Sequence, residues 1–216
     1  MFTDFFHLWK KSLLLTQATE ETVNMLERTK DMYIFSLRVL MDNEREVSDI
    51  YQLDQQLNEI QISVRRKVLE HLSISQHQDI TGSLILVTIV VDIERIGDYA
   101  KNLIELAHHY PELLRGPYVD RIRKFEEMIT KNFTDTIVAF KEANVELGQQ
   151  VMETHAKIAP EIEKIIEDIL KDSSLKGREA VIYALIARFL KRVSAHLKNV
   201  ASSVVNPFHR LGYRPE

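Results

Sequence analysis

Only six glycines and five prolines occur in 216 residues, and this scarcity of chain breakers constrains the fold more than any other feature. A β-sandwich or barrel needs turn chemistry every 8 to 12 residues or so, which so few breakers cannot supply. Glycine-rich phosphate loops are excluded for the same reason, since neither GxGxxG nor GxxxxGK[ST] occurs. Long helices joined by short loops remain, and the fold class is all-α. With no cysteine, disulfides, thiolate zinc sites and cysteine nucleophiles are excluded. A net charge of −4 gives no general footprint for nucleic acid. Segment 1–11 carries no apolar stretch of signal-peptide length. The longest apolar patch, Leu84 to Val91, falls far short of the roughly 20 residues that span a bilayer. A cytoplasmic protein is expected.

Apolar residues recur at three- and four-residue steps almost throughout, so the informative positions are the breaks. A first helix is expected over about Asp4 to Met41, then a break at Asp42-Asn43. The second helix should begin near Glu44 or Glu46, acids that suit a first turn, and carry Val47, Ile50, Leu53, Leu57, Ile60, Val64, Val68 and Leu72. Ser73 to Gln78 reads as a polar connection. A third, unusually apolar helix follows from Asp79 to His109 and should be buried on more than one side. Pro111, Gly116 and Pro117 punctuate the middle of the chain. Beyond them helices are expected over Tyr118 to Ala143, Asn144 to Lys171 and Arg178 to Val205, with Pro160 a kink or boundary in the fifth. The tail from Asn206 should strap back or fray.

The halves repeat one another. Glu94-Arg-Ile-Gly-Asp-Tyr-Ala-Lys-Asn-Leu103 aligns with Lys191-Arg-Val-Ser-Ala-His-Leu-Lys-Asn-Val200, with Arg, Lys and Asn identical. Its place in the third helix of each half makes duplication the better account. The divisions are residues 1–115, a first three-helix repeat; 116–205, a second and degenerate one; and 206–216, a tail.

Asp92-Ile-Glu-Arg-Ile-Gly-Asp98 holds the chemistry. Glu94 and Asp98 lie one turn apart on one face, a pairing that repels on a bare surface and calls for a cation when partly buried. Gly97 between them costs about 1 kcal/mol against alanine in a helix, which suggests close packing or room for a ligand. Asp54 and Asn58, at the same spacing on the second helix, could face this pair across an antiparallel seam; the alternative is that they face solvent. Carboxylates so placed suit hard cations.

The string from Asp92 to Leu103 resembles the signature of the PhoU family, regulators of phosphate uptake and its signalling. Asp79 sits where that family has an acid at the start of the same helix, and Asp54 to Asn58 resembles its other pair. The resemblance implies six helices in two three-helix bundles and an outward-facing iron or zinc site on Glu94, Asp98, Asp54 and Asn58. It also implies a membrane phosphate transporter and a sensor kinase as partners, with peripheral membrane association through them. Nothing in the chain points to turnover, so no enzymatic activity is expected, and a homodimer is expected because long amphipathic bundles with a spare apolar stripe often dimerise. The second half departs from the pattern: Glu94 becomes Lys191, Asp98 becomes Ala195, Gly97 becomes Ser194, and the other pair falls on His155 and Ala159. Two alternatives are a carboxylate-bridged metalloenzyme and a metal-free structural bundle. Glu105-Leu-Ala-His108 reads as the ExxH of di-iron bundles, but no second copy stands at a matching position. Arg65-Arg66-Lys67 and Lys10-Lys11 read as solvated faces. Ser12, Ser194, Ser202 and Ser203 have no histidine and acid at suggestive positions.

Overall fold

The computed structural model describes residues 12–74 and 79–213, and there the periodic segments fold as six long helices. They are α1 (Leu13–Met41), α2 (Ile50–Ile74), α3 (Ile80–His109), α4 (Pro117–Glu142), α5 (Val145–Lys171) and α6 (Gly177–Val205), followed by a short 3-10 turn, Phe208–Arg210. Among the described residues there is no strand. The helices α1, α2 and α3 pack on one another, as do α4, α5 and α6, and the two bundles join through α3 against α6 and α1 against α4.

Local chemistry sets the ends. Asn43, in the left-handed region at φ 55°, closes α1 as the Glu44 amide turns back onto the Arg38 carbonyl at 3.2 Å. The chain then stays irregular to Asp49, whose Oδ1 accepts from the amides of Tyr51 and Gln52 at 2.9 and 3.3 Å. A side-chain cap thus starts α2 at Ile50, several residues later than Glu44 or Glu46 would have it, because an acid in a first turn is worth less than a capping oxygen. Asp79 caps α3 by accepting from the Gly82 amide at 2.9 Å. At the seam, Gly116 takes φ 114° and Pro117 opens α4. The helix α5 runs unbroken through Pro160, so that proline marks no boundary; its side is exposed. Residues 4–11 of the expected first helix, Lys10-Lys11 and most of the polar connection at 75–78 lie outside the described residues.

The apolar excess of α3 has a simple use. Ile85, Leu86, Ile89, Val90, Ile93, Ile96, Ala100, Leu103 and Ile104 are all buried, because α3 packs against α1 and α2 on one side and α6 on the other. The α3–α6 contact is pseudo-symmetric. In the repeat alignment, position 92 corresponds to 189 and 99 to 196. Asp92 meets His196, whose Nδ1 lies 2.7 Å from Oδ1, and the equivalent pair, Tyr99 and Phe189, meets as tilted rings 5.7 Å apart. Two related helices thus cross about a local two-fold, one equivalent contact polar and the other aromatic. Asn199 Nδ2 also donates to Asp92 Oδ1, at 2.8 Å.

The tail straps back. Asn206 Nδ2 donates to the carbonyls of Arg210 and Tyr213 at 3.1 and 2.8 Å, and the Gly212 amide donates to Ser202 Oγ at 2.7 Å.

Asp92→Ala would leave the Asn199 amide and the His196 ring without their acceptor in a largely buried seam. Such a loss costs about 1–3 kcal/mol, and urea unfolding should show it as a lowered midpoint with unchanged slope.

Candidate functional site

Gly97 explains how the acidic pairs meet. A Cβ there would stand 2.7 Å from Leu57 Cδ1, so α2 and α3 approach more closely than an alanine would comfortably allow. Leu57 lies between Asp54 and Asn58 in sequence, and the approach turns the α2 pair toward the α3 pair. The expected seam forms, and the close-packing explanation of Gly97 is the one found.

The group at its centre is a lysine. Lys101 Nζ lies 3.0 Å from Asp54 Oδ2 and 3.0 Å from Asp98 Oδ1, so one ammonium bridges carboxylates from two helices. Asn58 Nδ2 donates to Asp54 Oδ2 at 3.5 Å. Arg95 binds Asp98 from the outer side at 3.0 Å and reaches Glu94 at 3.7 Å. The three carboxylate side chains are between 15% and 27% exposed, neither solvated nor sealed. Burial, then the charge of Asp98, raises the Glu94 pKa above its ordinary value. For Lys101, burial pulls the pKa down, but hydrogen bonds to Asp98 and Asp54 outweigh it and leave the pKa raised.

The donor types suit a hard divalent cation, but the ammonium fills the place between Asp54 and Asp98. Among the described residues, no three His, Asp or Glu side chains converge closely enough to hold a metal. The residues present therefore do not fit a metal as they stand; a metal would require Lys101 to move aside and the carboxylates to draw together. Lys101 was in view in the sequence as one of the residues identical between repeats. Its spacing of three from Asp98 was the signal for an ion pair, whereas its reach to Asp54 depended on the helix approach.

The remaining candidates resolve into structural roles. Glu105 Oε1 accepts from the Tyr51 hydroxyl at 3.1 Å, and His108 Nε2 lies 2.6 Å from Glu46 Oε2, so the two ExxH residues face different partners. Lys67 pairs with Glu21 at 2.8 Å, while Arg65 and Arg66 are exposed. Two of the serines do meet histidines: Ser12 Oγ is 2.8 Å from His71 Nδ1, and Ser194 Oγ is 2.9 Å from His155 Nδ1. Fifty-nine and thirty-nine residues separate these partners, so spacing along the chain could not reveal them. Neither histidine has a carboxylate partner among the described residues, and Ser194 is buried. In the second repeat Lys191 pairs with Glu163.

The PhoU domain family model matches residues 22–107 and 122–204, one segment in each half. A "Phosphate-specific transport system accessory protein PhoU homolog 1" of Thermotoga maritima is 22% identical over 210 residues, covering 94% of this chain and 89% of that protein. A PhoU homolog of the same description from Synechocystis is 20% identical over 195 residues, 88% and 87% of the two chains. The crystal structure of PhoU from Pseudomonas aeruginosa superposes with a TM-score of 0.76 at 19% identity, covering 88% of this chain and 95% of that one. That of the phosphate transport system regulatory protein PhoU from Streptococcus pneumoniae does so with a TM-score of 0.66 at 14% identity, covering 94% and 95%.

The raised Glu94 pKa gives a pH prediction. A carboxyl whose folded pKa lies above its unfolded value of about 4.5 destabilises the fold once ionised. That effect is absent below the unfolded value and grows to its full size as pH rises through the folded one. Glu94→Gln should therefore stabilise the protein at pH 7. The gain should shrink toward zero as pH falls to 4 in thermal melts. A gain that grew with acidification would contradict the assignment.

Proposed function

The chain belongs to the PhoU family, and from that premise we propose that it regulates phosphate transport and phosphate signalling by binding other proteins on the cytoplasmic side of the membrane. Its partners on this reading are components of the membrane phosphate transporter and a sensor kinase. Membrane association is peripheral and occurs through them: among the described residues no helix is long and apolar enough to cross a bilayer. The observation that carries the reading is the family match in both halves of the chain, joined to relatives whose names describe accessory proteins of phosphate-specific transport. Self-association as a homodimer belongs to the same proposal and rests on the tendency of long amphipathic bundles to dimerise. A regulatory rather than enzymatic role fits a site whose acids are already engaged by Lys101 and Arg95. On the same reading the duplication divides the protein into repeats over 1–115 and 116–205 and a tail over 206–216. Deleting the gene should change phosphate uptake and the expression of phosphate-starvation genes in phosphate-replete cells. Unchanged uptake and expression would remove the regulatory reading.

The finer part of the proposal concerns Asp54, Asn58, Glu94 and Asp98. These residues form a cation site in which the Lys101 ammonium and a divalent metal, iron or zinc by family resemblance, compete. Support comes from the bridging position of Lys101 Nζ between two helices, which is where a bridging cation would gain most from both carboxylates. With Lys101 moved aside and the side chains drawn together, Asp54, Asp98 and Glu94 would offer a metal oxygen donors, with Asn58 beside Asp54.

Lys101→Met keeps the apolar stem and removes the competing charge. Calorimetric titration with zinc should show at least tenfold tighter binding than in the parent protein, about 1.4 kcal/mol, and Asp54→Asn/Asp98→Asn in the same background should abolish it. Equal affinity in the parent and Lys101→Met would exclude competition at this site.

A further inference from the structure

The repeats share a backbone plan but invert its charge. In the first repeat three carboxylates gather about Lys101. In the second, the positions of Asp54, Glu94 and Asp98 are taken by His155, Lys191 and Ala195, while the lysine itself persists as Lys198. Duplication has kept the cation and removed its acids.

Lys198 is half-buried, and among the described residues no carboxylate lies within ion-pair distance of it. Its Nζ donates to the Gly212 carbonyl in the C-terminal strap at 2.5 Å; an ammonium carries three donors, so further capacity remains. Burial pushes its pKa down, and the more distant Asp92 offsets this only in part, since Asp92 Oδ1 is already held by His196 and Asn199. Beside it, His155 is pushed down to about 4, first by burial and then by the charges of Lys198 and Lys191. The ring is therefore neutral at pH 7. Nδ1 lies 2.9 Å from Ser194 Oγ; in the tautomer that takes Ser194 as donor, the ring proton sits on Nε2.

Both side chains line a cleft of about 950 Å³ between α5 and the strap, with walls from Met152, Ala156, Ala159, Pro160 and Tyr213. That volume falls within the roughly 300–1,000 Å³ of small-molecule sites, where apolar walls and a few placed polar groups are the common pattern. The acids at the cleft are Glu153, which is exposed, and Glu163, which is engaged by Lys191. A metal cation would meet the Lys198 ammonium here and a histidine whose Nδ1 already faces Ser194.

We propose that this second-repeat cleft binds a small organic anion, with an oxyanion head group, phosphoryl or carboxylate, on Lys198 and His155 and an apolar body along Met152, Pro160 and Tyr213. A half-buried ammonium without a carboxylate gains more from an anion than a solvated surface lysine does, because the surrounding medium screens less. A charge-assisted hydrogen bond to the head would supply part of the affinity. The proposal stands on the second repeat's geometry and not on the regulatory reading.

The test is NMR titration of the full-length protein at fixed ionic strength, following the His155 ring and the Ala156 and Gly212 amides. The probes are inorganic phosphate, AMP and succinate. Saturable shifts at these signals are expected below about 10 mM for at least one head group. If phosphate binds, AMP should bind several-fold more tightly because it adds a body to the same head. Lys198→Met should weaken binding at least tenfold while circular dichroism stays unchanged, and Lys101→Met should leave it unaltered. Should that variant misfold, His155→Gln, which keeps a donor near Nε2, should weaken binding by a smaller factor. Three outcomes would overturn the proposal: no saturable shift with any probe, titration of Lys198→Met like the parent, or saturation by an acidic peptide and by none of the small anions.

Discussion

The crossing of α3 and α6 is the constraint on which the rest of the molecule depends. Each of these helices must close its own three-helix bundle and also face the other, so each needs apolar residues around most of its circumference. A helix buried on two sides has little room left for polar groups, and a carboxylate kept there needs partners: Asp92 is held by His196 and Asn199 across the seam. The same burial limits the chemistry of α3 to one remaining face, toward α2, where Glu94, Asp98 and Lys101 emerge. The acidic cluster is thus a consequence of where α3 is not covered.

Much of this was legible from residue order. The few glycines and prolines announced long helices, Pro111 to Pro117 marked the seam, and the string aligned at both third helices pointed to the duplication that the 92–196 and 99–189 contacts display. The facing of Asp54 and Asn58 toward Glu94 and Asp98 was one of two readings that their matched spacing left open, and the close approach at Gly97 decides between them. What could not be read were events that depend on side-chain reach. Asp49 outcompeted Glu44 and Glu46 as the start of α2 because a side-chain oxygen on two amides fixes a helix end more firmly than favourable charge in a first turn. Lys101 bridges Asp54 and Asp98 because its flexible stem spans a gap whose width is set by Leu57 against Gly97. The Ser12–His71 and Ser194–His155 pairs join residues from different helices, and Pro160 sits in α5 without ending it.

The two repeats illustrate how one fold position can carry opposite charge. In the first, desolvated carboxylates are tolerable because Lys101 and Arg95 compensate them. In the second, removal of the acids leaves Lys198 and Lys191 to be accommodated by a backbone carbonyl and by Glu163. Helix packing is nearly indifferent to this exchange, since the altered residues lie at the bundle edge while the apolar positions match in kind. Duplication therefore frees one site to change sign while the core that the repeats share stays intact.

The central claim is that the facing carboxylates of α2 and α3 are a cation site which Lys101 fills from within. Anomalous scattering from Lys101→Met crystals grown with zinc tests it most directly. The account expects a zinc peak bounded by Asp54, Glu94 and Asp98, with α2 and α3 keeping their close approach at Gly97. Zinc bound only elsewhere, with the three carboxylates turned apart into solvent, would contradict it.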